Sequence, residues 1–148
     1  MRLFLFLLMA CYTVYAPSAV ATDSDNTEFP SGLWLTKKMD TAVRIEACGN
    51  LLCGYISWLR PDVAQMTPDG MPLCNHKVLW GFEKDTAHPD LWKGGTILRA
   101  NEGKTYSGRL RFRGPDEIEL RGYLGVPLVG KTYTLTRARE SQYPQCSS

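Results

Sequence analysis

The residues of this chain with the most distinctive chemistry are its cysteines and histidines. Beyond the apolar N-terminal run these are Cys48, Cys53, Cys74, Cys146, His76 and His88. A structural zinc site needs four ligands, and the Cys74-Asn75-His76 segment supplies only two from one loop. Four cysteines in an exported chain instead favour two disulfides, for which three connectivities are available. We therefore predict disulfides, no metal site and no cofactor.

The sequence contains no recognisable catalytic pattern. A hydrolase needs a nucleophile, a base and a group that orients the base. The chain has no Gly-x-Ser-x-Gly, no His-Glu-x-x-His and no glycine loop that opens a phosphate-binding helix. Asp62 and Asp69 share one long segment, but solvated loop carboxylates are the simpler interpretation. We expect no enzymatic activity and assign no catalytic residue.

The N-terminus has the pattern of a secretory signal. Arg2 precedes an apolar run that is too short for a stable membrane anchor, and Ala19-Val20-Ala21 offers a cleavage site. This predicts a signal peptide over residues 1–21 and a periplasmic or secreted location in a bacterium. Lipidation at Cys11 is the alternative, and the apolar residues that follow Cys11 disfavour it. The mature chain is then divided into a flexible segment over 22–30, one domain over 31–139 and a tail over 140–148.

Length and composition are those of one ordinary globular domain. The 148 residues are 44% hydrophobic and 22% charged, with a formal net charge of +2. So small a charge gives no support to nucleic-acid binding or to a membrane-surface role. The charge is uneven, however, with 6 basic and 10 acidic residues over 22–92 and 10 basic and 4 acidic residues over 93–139. One positive side could therefore meet an anionic envelope component.

Alternating polar and apolar residues predict an all-β domain. The predicted strands are 31–37, 42–48, 53–59, 77–83, 91–99, 104–113, 117–123 and 131–137. Eight short strands with hairpin-length connections indicate an up-and-down antiparallel sheet. Such a sheet removes its exposed edges best by closing into a barrel or by stacking as a sandwich.

The first hairpin is predicted to bring two cysteines together. Placing apolar residues on one face pairs Val43 with Trp58 and sets Cys48 directly opposite Cys53 across a four-residue turn, Gly49-Asn50-Leu51-Leu52. A disulfide between these cysteines follows. By elimination Cys74 then pairs with Cys146, which would tie the tail to the domain.

The second hairpin is predicted around Gly114-Pro115-Asp116. The same argument pairs Phe112 with Ile118, Leu110 with Leu120 and Gly108 with Gly122. Arg109, Arg111 and Arg113 then share the outer face, where Glu119 and Glu117 oppose the last two. Cross-strand charge pairing is a simpler interpretation of these arginines than a nucleic-acid stripe.

One long irregular segment, from Arg60 to His76, interrupts the hairpins. Segments of this length are usually functional or mobile. We predict that Val63, Met66, Met71 and Leu73 plug one end of the domain. The alternative is a lid over a ligand cavity, in which the methionines adapt to an apolar ligand.

An ordered set of short patterns resembles the domain of unknown function 2147 family of small exported bacterial proteins. The patterns are Gly32-Leu33-Trp34, Cys48-Gly49-Asn50-Leu51-Leu52-Cys53-Gly54, Trp92-Lys93-Gly94-Gly95, Gly103-Lys104-Thr105-Tyr106, Arg121-Gly122-Tyr123-Leu124-Gly125, Gly130-Lys131-Thr132 and Thr136-Arg137. The resemblance covers about residues 31–139. It implies export, a lipocalin-like β-barrel and no established reaction or cofactor. Gly32, Trp34 and Arg137 also resemble the closed-end device of the calycin superfamily, in which an arginine packs across a tryptophan to shut the barrel.

The expected function is that of a binding module. Strict alternation points most large side chains inward, and an eight-stranded barrel can hold one small ligand. We expect a small apolar or amphipathic ligand to contact Trp58, Trp80, Trp92 and Tyr106. The alternative is a protein-interaction or inhibitor module of the cell envelope with a packed barrel and no ligand. The sequence does not set the oligomeric state.

Overall fold

A computed structural model describes residues 30–146 of the chain as an eight-stranded antiparallel barrel. The strands are β1 (Gly32–Thr36), β2 (Thr41–Cys48), β3 (Leu51–Leu59), β4 (Lys77–Lys84), β5 (Leu91–Arg99), β6 (Lys104–Phe112), β7 (Glu117–Tyr123) and β8 (Gly130–Arg137). Each strand pairs with the next in sequence, and β8 pairs with β1 to close the barrel. The predicted all-β, lipocalin-like class is confirmed. The predicted signal peptide and nearly all of the segment over 22–30 lie outside the described residues.

The first hairpin has a different register from the one predicted. Cys48 lies opposite Leu51 and Cys53 opposite Glu46, so only Gly49 and Asn50 form the turn. Gly49 has a φ of 66°, and a glycine in this conformation at the first loop residue is typical of a tight hairpin turn. The two cysteines still lie on the same face because the register differs by an even number. They form a disulfide with a Cα–Cα distance of 5.8 Å.

The second hairpin has the predicted register. Phe112 pairs with Ile118, Leu110 with Leu120 and Gly108 with Gly122. On the outer face Arg111 lies opposite Glu119, as predicted. The ion pairs themselves are diagonal, because Arg113 reaches Glu119 at 2.7 Å and Arg111 reaches Asp90 at 3.5 Å.

The C-terminal segment packs on the outside of the barrel. Tyr143 lies against Trp58, with ring centroids 4.9 Å apart, above a small cluster formed by Leu33, Leu35 and Ala42. Cys146 is bonded to Cys74, with a Cα–Cα distance of 5.9 Å, and its amide donates to the carbonyl of Ser57 at 2.7 Å. The tail over 140–146 is therefore an ordered layer that covers part of the first three strands.

Candidate functional site

The two ends of the barrel are built from different segments. Successive antiparallel strands run in opposite directions, so their connections alternate between the ends. The segments 37–40, 60–76, 100–103 and 124–129 meet at one end, which we call the open end. The turns at 49–50, 85–90 and 113–116 meet at the other, which we call the closed end.

Aromatic side chains fill the closed end. Trp34 and Phe82 are completely buried and Trp92 is 3% exposed. Phe112 packs edge-on against Trp34, with ring centroids 6.2 Å apart. Side chains of this size leave little free volume between the strands.

The structure brings Gly32, Trp34 and Arg137 together at this end. Arg137 lies opposite Trp34 on the neighbouring strand, and its guanidinium carbon is 4.3 Å from the centre of a Trp34 ring. A Cβ on Gly32 would stand 2.8 Å from a guanidinium nitrogen of Arg137, so glycine leaves the room that the arginine occupies. The indole nitrogen of Trp34 donates to the carbonyl of Pro30 at 2.9 Å. This contact joins β8 to β1 at the closed end, and because Arg137 is exposed its cation–π energy is about 0.5–1 kcal/mol.

Phe82 ends the packed region at mid-barrel. A Cβ on Gly95 would lie 2.2 Å from the Phe82 ring, and one on Gly108 would lie 2.9 Å from its far carbon. The two glycines therefore form the notch in which the ring lies. On the open-end side of this ring the interior is lined by aliphatic side chains.

A cavity of about 390 Å³ lies at the open end. It is lined by Thr36, Asp40, Thr41, Val43, Ile56, Leu59, Val63, Ala64, Leu73, Val78, Leu79, Ile97, Leu98, Arg99, Ala100, Asn101, Leu120, Tyr133 and Leu135. Most of the aliphatic members are buried and belong to the main core cluster. The cavity exists because aliphatic chains at this end replace the aromatic rings of the other.

The long segment 60–76 closes part of the cavity. Val63, Ala64 and Leu73 line it, and Leu73 is only 4% exposed. Met66 and Met71, predicted to plug the barrel, are instead 55% and 48% exposed. They flank a small turn in which the amide of Thr67 donates to the carbonyl of Met71 at 2.8 Å, and that turn directs them outward.

The few polar side chains of the cavity lie at its mouth. The Thr36 hydroxyl donates to Asp40 at 2.7 Å. Arg99 pairs with Glu102 at 2.8 Å and lies 5.9 Å from the centre of the Tyr106 ring. Desolvation opposes the charge of Arg99, but its hydrogen bond to Tyr106 and the nearby acidic groups outweigh that effect and raise its pKa. Arg99 therefore carries a permanent positive charge at the edge of an apolar cavity.

None of the tryptophans named as ligand contacts lines this cavity. Trp58 lies in the outer cluster beneath Tyr143, and Trp92 belongs to the packed closed end. Trp80 is half-buried and belongs to neither hydrophobic cluster. Tyr106 lines a separate small pocket of about 80 Å³, which shares Arg99 with the main cavity.

Irregularities in the strands explain why Trp58 and Trp80 do not face inward. The register between β2 and β3 shifts at Ala42, so Ser57 is an extra residue and Leu59 rather than Trp58 faces the cavity. Gly81, with a φ of 74°, interrupts the alternation of β4, and Leu79 rather than Trp80 faces the interior. A bulge reverses the side on which following residues point, which strict alternation does not predict.

Among residues 30–146 no cluster of three histidine, cysteine or acidic side chains could hold a metal ion. The same part of the chain contains no helix long and apolar enough to cross a membrane. All four of its cysteines are joined in disulfides.

Comparisons with known proteins give one family and one fold. A family described as "Uncharacterized protein conserved in bacteria (DUF2147)" matches residues 32–137. A solved structure described as protein HP1028 from the human pathogen Helicobacter pylori, which belongs to the lipocalin family, is similar with a TM-score of 0.63. The two chains are 18% identical, and the similarity covers 76% of this chain and 84% of that one. No curated protein matches the sequence.

Proposed function

The chain belongs to the DUF2147 family of bacterial proteins, and we propose that it is a non-enzymatic binding protein that holds one small apolar or amphipathic ligand in its open-end cavity. The observation that carries the proposal is the cavity itself, about 390 Å³ in volume and lined mostly by aliphatic side chains. Ligand sites are typically concave, mostly apolar and about 300–1,000 Å³ in size. Eight-stranded barrels of the lipocalin type have room for one small ligand.

The size and lining of the cavity limit the ligand. A volume of this kind corresponds to about a dozen water molecules at ~30 Å³ each, so a medium-length acyl chain or a single small ring system fits. Apolar walls cannot pair a polar group inside, and an unpaired polar group in such a site is unfavourable. The ligand should therefore be apolar along the part that enters the barrel.

The charge at the mouth favours a ligand with an acidic head. Arg99 lines the cavity at its edge, where its guanidinium can donate to a carboxylate or phosphate while the apolar part lies inside. Arg99 also pairs with Glu102 at 2.8 Å, so an acidic head group would share or replace that contact, while Asp40 on the same rim accepts a hydrogen bond from Thr36. The proposed ligand class is thus a short amphipathic acid.

We also propose that the protein works outside the cytoplasm. Two disulfides favour an oxidising compartment. The N-terminal sequence pattern supports export through a signal peptide over residues 1–21. Periplasmic and secreted locations both agree with these features.

The test is calorimetric titration with decanoate and with decanol, which share a chain and differ in the head group. We expect both to bind with a negative heat-capacity change and decanoate to bind more tightly. Val63→Trp should weaken binding by about tenfold or more, because the indole would occupy the cavity mouth. Met66→Trp introduces the same ring in the same segment but outside the cavity lining, so it should leave the affinity unchanged.

Two results would contradict the proposal. One is that neither probe binds the wild-type protein. The other is that Val63→Trp and Met66→Trp have equal affinities, since binding would then lie elsewhere. If Arg99→Gln leaves the preference for decanoate intact, the acidic-head assignment is wrong while the cavity assignment stands.

A further inference from the structure

The exposed large apolar side chains of residues 30–146 are all at the open end. They are Met39, Met66, Met71, Leu124, Val126, Leu128 and Val129. They come from three of the four segments at the open end, of which 37–40 and 60–76 line the cavity and 124–129 does not. We call these seven residues the apolar rim. Single exposed apolar residues are ordinary, but a set confined to one end of a barrel indicates a contact surface.

The segment between β7 and β8 provides most of the apolar rim. Leu124 is 70% exposed, Leu128 is 88% exposed and Val129 is 76% exposed. A short 3₁₀ helix, Pro127–Val129, places the last two side by side at the tip. No side chain of the described residues covers this tip.

Arg121 holds this apolar tip in place. Its guanidinium donates to the carbonyls of Pro127 at 2.7 Å and Leu128 at 3.2 Å, and to the hydroxyl of Thr132 at 2.7 Å. Backbone carbonyls that already have a donor can leave water at a lower free-energy cost. The tip therefore exposes apolar side chains, while two of its backbone carbonyls already accept hydrogen bonds from Arg121.

Positive charge surrounds the same surface. Four exposed lysines lie beside the rim segments, Lys37, Lys38, Lys104 and Lys131, and none of them forms an ion pair within residues 30–146. The acidic side chains of this end are engaged locally. Asp62 and Glu102 pair with arginines, while Asp40 and Asp69 accept hydrogen bonds from threonines and keep their negative charge, so the four lysines outnumber them.

We propose that the open end docks on the surface of an anionic lipid bilayer. Apolar side chains on several separate tips, flanked by unpaired lysines, match an interface in which acyl chains lie beneath negatively charged head groups. A flat bilayer can contact all three rim segments at once. Docking by this end places the cavity mouth against the membrane.

In this orientation the bilayer would supply the ligand that the proposed function requires. An amphipathic acid could pass between the bilayer and the cavity without crossing water, with its head beside Arg99. That exchange step rests on the proposed function. Docking itself depends only on the apolar rim and the lysines, so the two can fail separately.

The experiment measures partitioning onto vesicles. The exported protein, from which the proposed signal peptide has been removed, is purified and mixed with vesicles of phosphatidylglycerol and phosphatidylcholine, or of phosphatidylcholine alone. We expect binding to the anionic vesicles that weakens as salt is added. The double variant Leu128→Asp with Val129→Asp should bind the anionic vesicles at least about tenfold more weakly, because both positions lose their apolar contact with the bilayer.

A charge pair gives the matched control. Lys131→Glu at the open end should reduce binding to anionic vesicles by about tenfold or more, since one attractive charge becomes repulsive. Arg139→Glu makes the same charge change at the closed end and should have little effect. Arg139 is exposed and, like Lys131, has no ion pair among the described residues.

The proposal is overturned if the wild-type chain does not bind anionic vesicles, or if the Leu128 and Val129 variant binds as well as the wild type. Equal losses from Lys131→Glu and Arg139→Glu would also overturn it, because net charge and not the open end would then set binding. Decanoate titration of each variant in the absence of vesicles separates the two proposals. A docking variant that still binds decanoate is folded and retains a working cavity.

Discussion

The closed and open ends of this barrel share the same eight strands but differ in how their interiors are filled. At the closed end, rings such as Trp34 and Phe82 fill the interior, and the buried carboxylate of Asp85 pairs with Lys93 at 2.5 Å. At the open end the interior is mostly aliphatic and hollow, large apolar side chains are exposed, and the four lysines beside the apolar rim form no ion pair within residues 30–146. The barrel interior is therefore filled by rings at the closed end and hollow at the open end.

Small sequence features produce this division. Gly95 and Gly108 let the Phe82 ring lie against the opposite strands at mid-barrel, which separates the packed half from the hollow half. The Arg60 to His76 segment covers the hollow half only in part, because Leu73 turns inward while Met66 and Met71 stay outside. An eight-stranded barrel could be filled throughout, so the open cavity results from the residues chosen at that end.

The largest predicted effect is the loss of a ring at the closed end. Phe82→Ala should lower the free energy of unfolding by about 3–5 kcal/mol, because it leaves a cavity in a packed region. Val63→Ala at the open end should lower it by less than about 1 kcal/mol, since Val63 is half-buried beside an existing cavity. Urea unfolding at a shared m-value measures both. Equal losses would mean that the two ends are packed alike.

The disulfide between Cys74 and Cys146 should have the next largest effect. It joins residues 72 positions apart, and the chain-entropy estimate for such a loop is about 4 kcal/mol. The variant Cys74→Ser with Cys146→Ser should therefore unfold at a clearly lower temperature than the wild type. Cys48→Ser with Cys53→Ser opens a much smaller loop and should cost about 2 kcal/mol.

Removing the Cys74–Cys146 bond should affect local stability differently at the two ends of the barrel. Amide exchange in the variant lacking the Cys74–Cys146 bond should rise in the segment 60–76 and in the tail. It should change little around Trp34 and Phe82. Faster exchange at the closed end instead would show that this bond does not act on the open end alone.

The smallest predicted effect concerns an acidic side chain at the closed end. Asp85 pairs with Lys93 and accepts hydrogen bonds from the amides of Ala87 at 2.8 Å and His88 at 3.0 Å. These contacts with Lys93 and the amides hold the pKa of Asp85 well below its ordinary value. A carboxylate with a lowered pKa in the folded state stabilises the fold above its ordinary pKa and ceases to do so as the pH falls through the folded value.

Asp85→Asn should therefore lower the unfolding temperature at neutral pH and flatten its decline in acid below about pH 4. Asp116→Asn is the matched control at the same end, because Asp116 is exposed and lies 3.6 Å from Arg137. Thermal unfolding of both variants between neutral and acidic pH makes the comparison. A decline in Asp85→Asn as steep as in the wild type would assign the acid sensitivity to other groups.

Much of the fold could be predicted from the sequence because the strands alternate clearly and their turns are short. The second hairpin was correct in register, since Phe112 and Leu110 find apolar partners in only one alignment. The predicted register of the first hairpin was wrong by two residues, because a two-residue turn and a four-residue turn both place Cys48 and Cys53 on the same face. Only the positive φ of Gly49 indicates the shorter turn. For these two cysteines, alternation therefore predicts the shared face but not which residue each of them opposes.

The candidate site was harder to predict. Trp58 and Trp80 follow the periodic pattern of inward residues, but the extra residue at Ser57 and the positive φ of Gly81 change the face they occupy. Composition shows how many large side chains are available, and it does not show how they are divided between two ends. The cavity and the apolar rim are properties of that division.

Methyl NMR of the protein during a decanoate titration tests the central claim most directly. The account predicts chemical-shift changes at Leu135, Ile97 and Val43, which line the cavity, and none at Leu52 among the buried core residues outside it. The result that would contradict it is a uniform response along the barrel or no response at the open end. In either case the hollow end would not be the binding site.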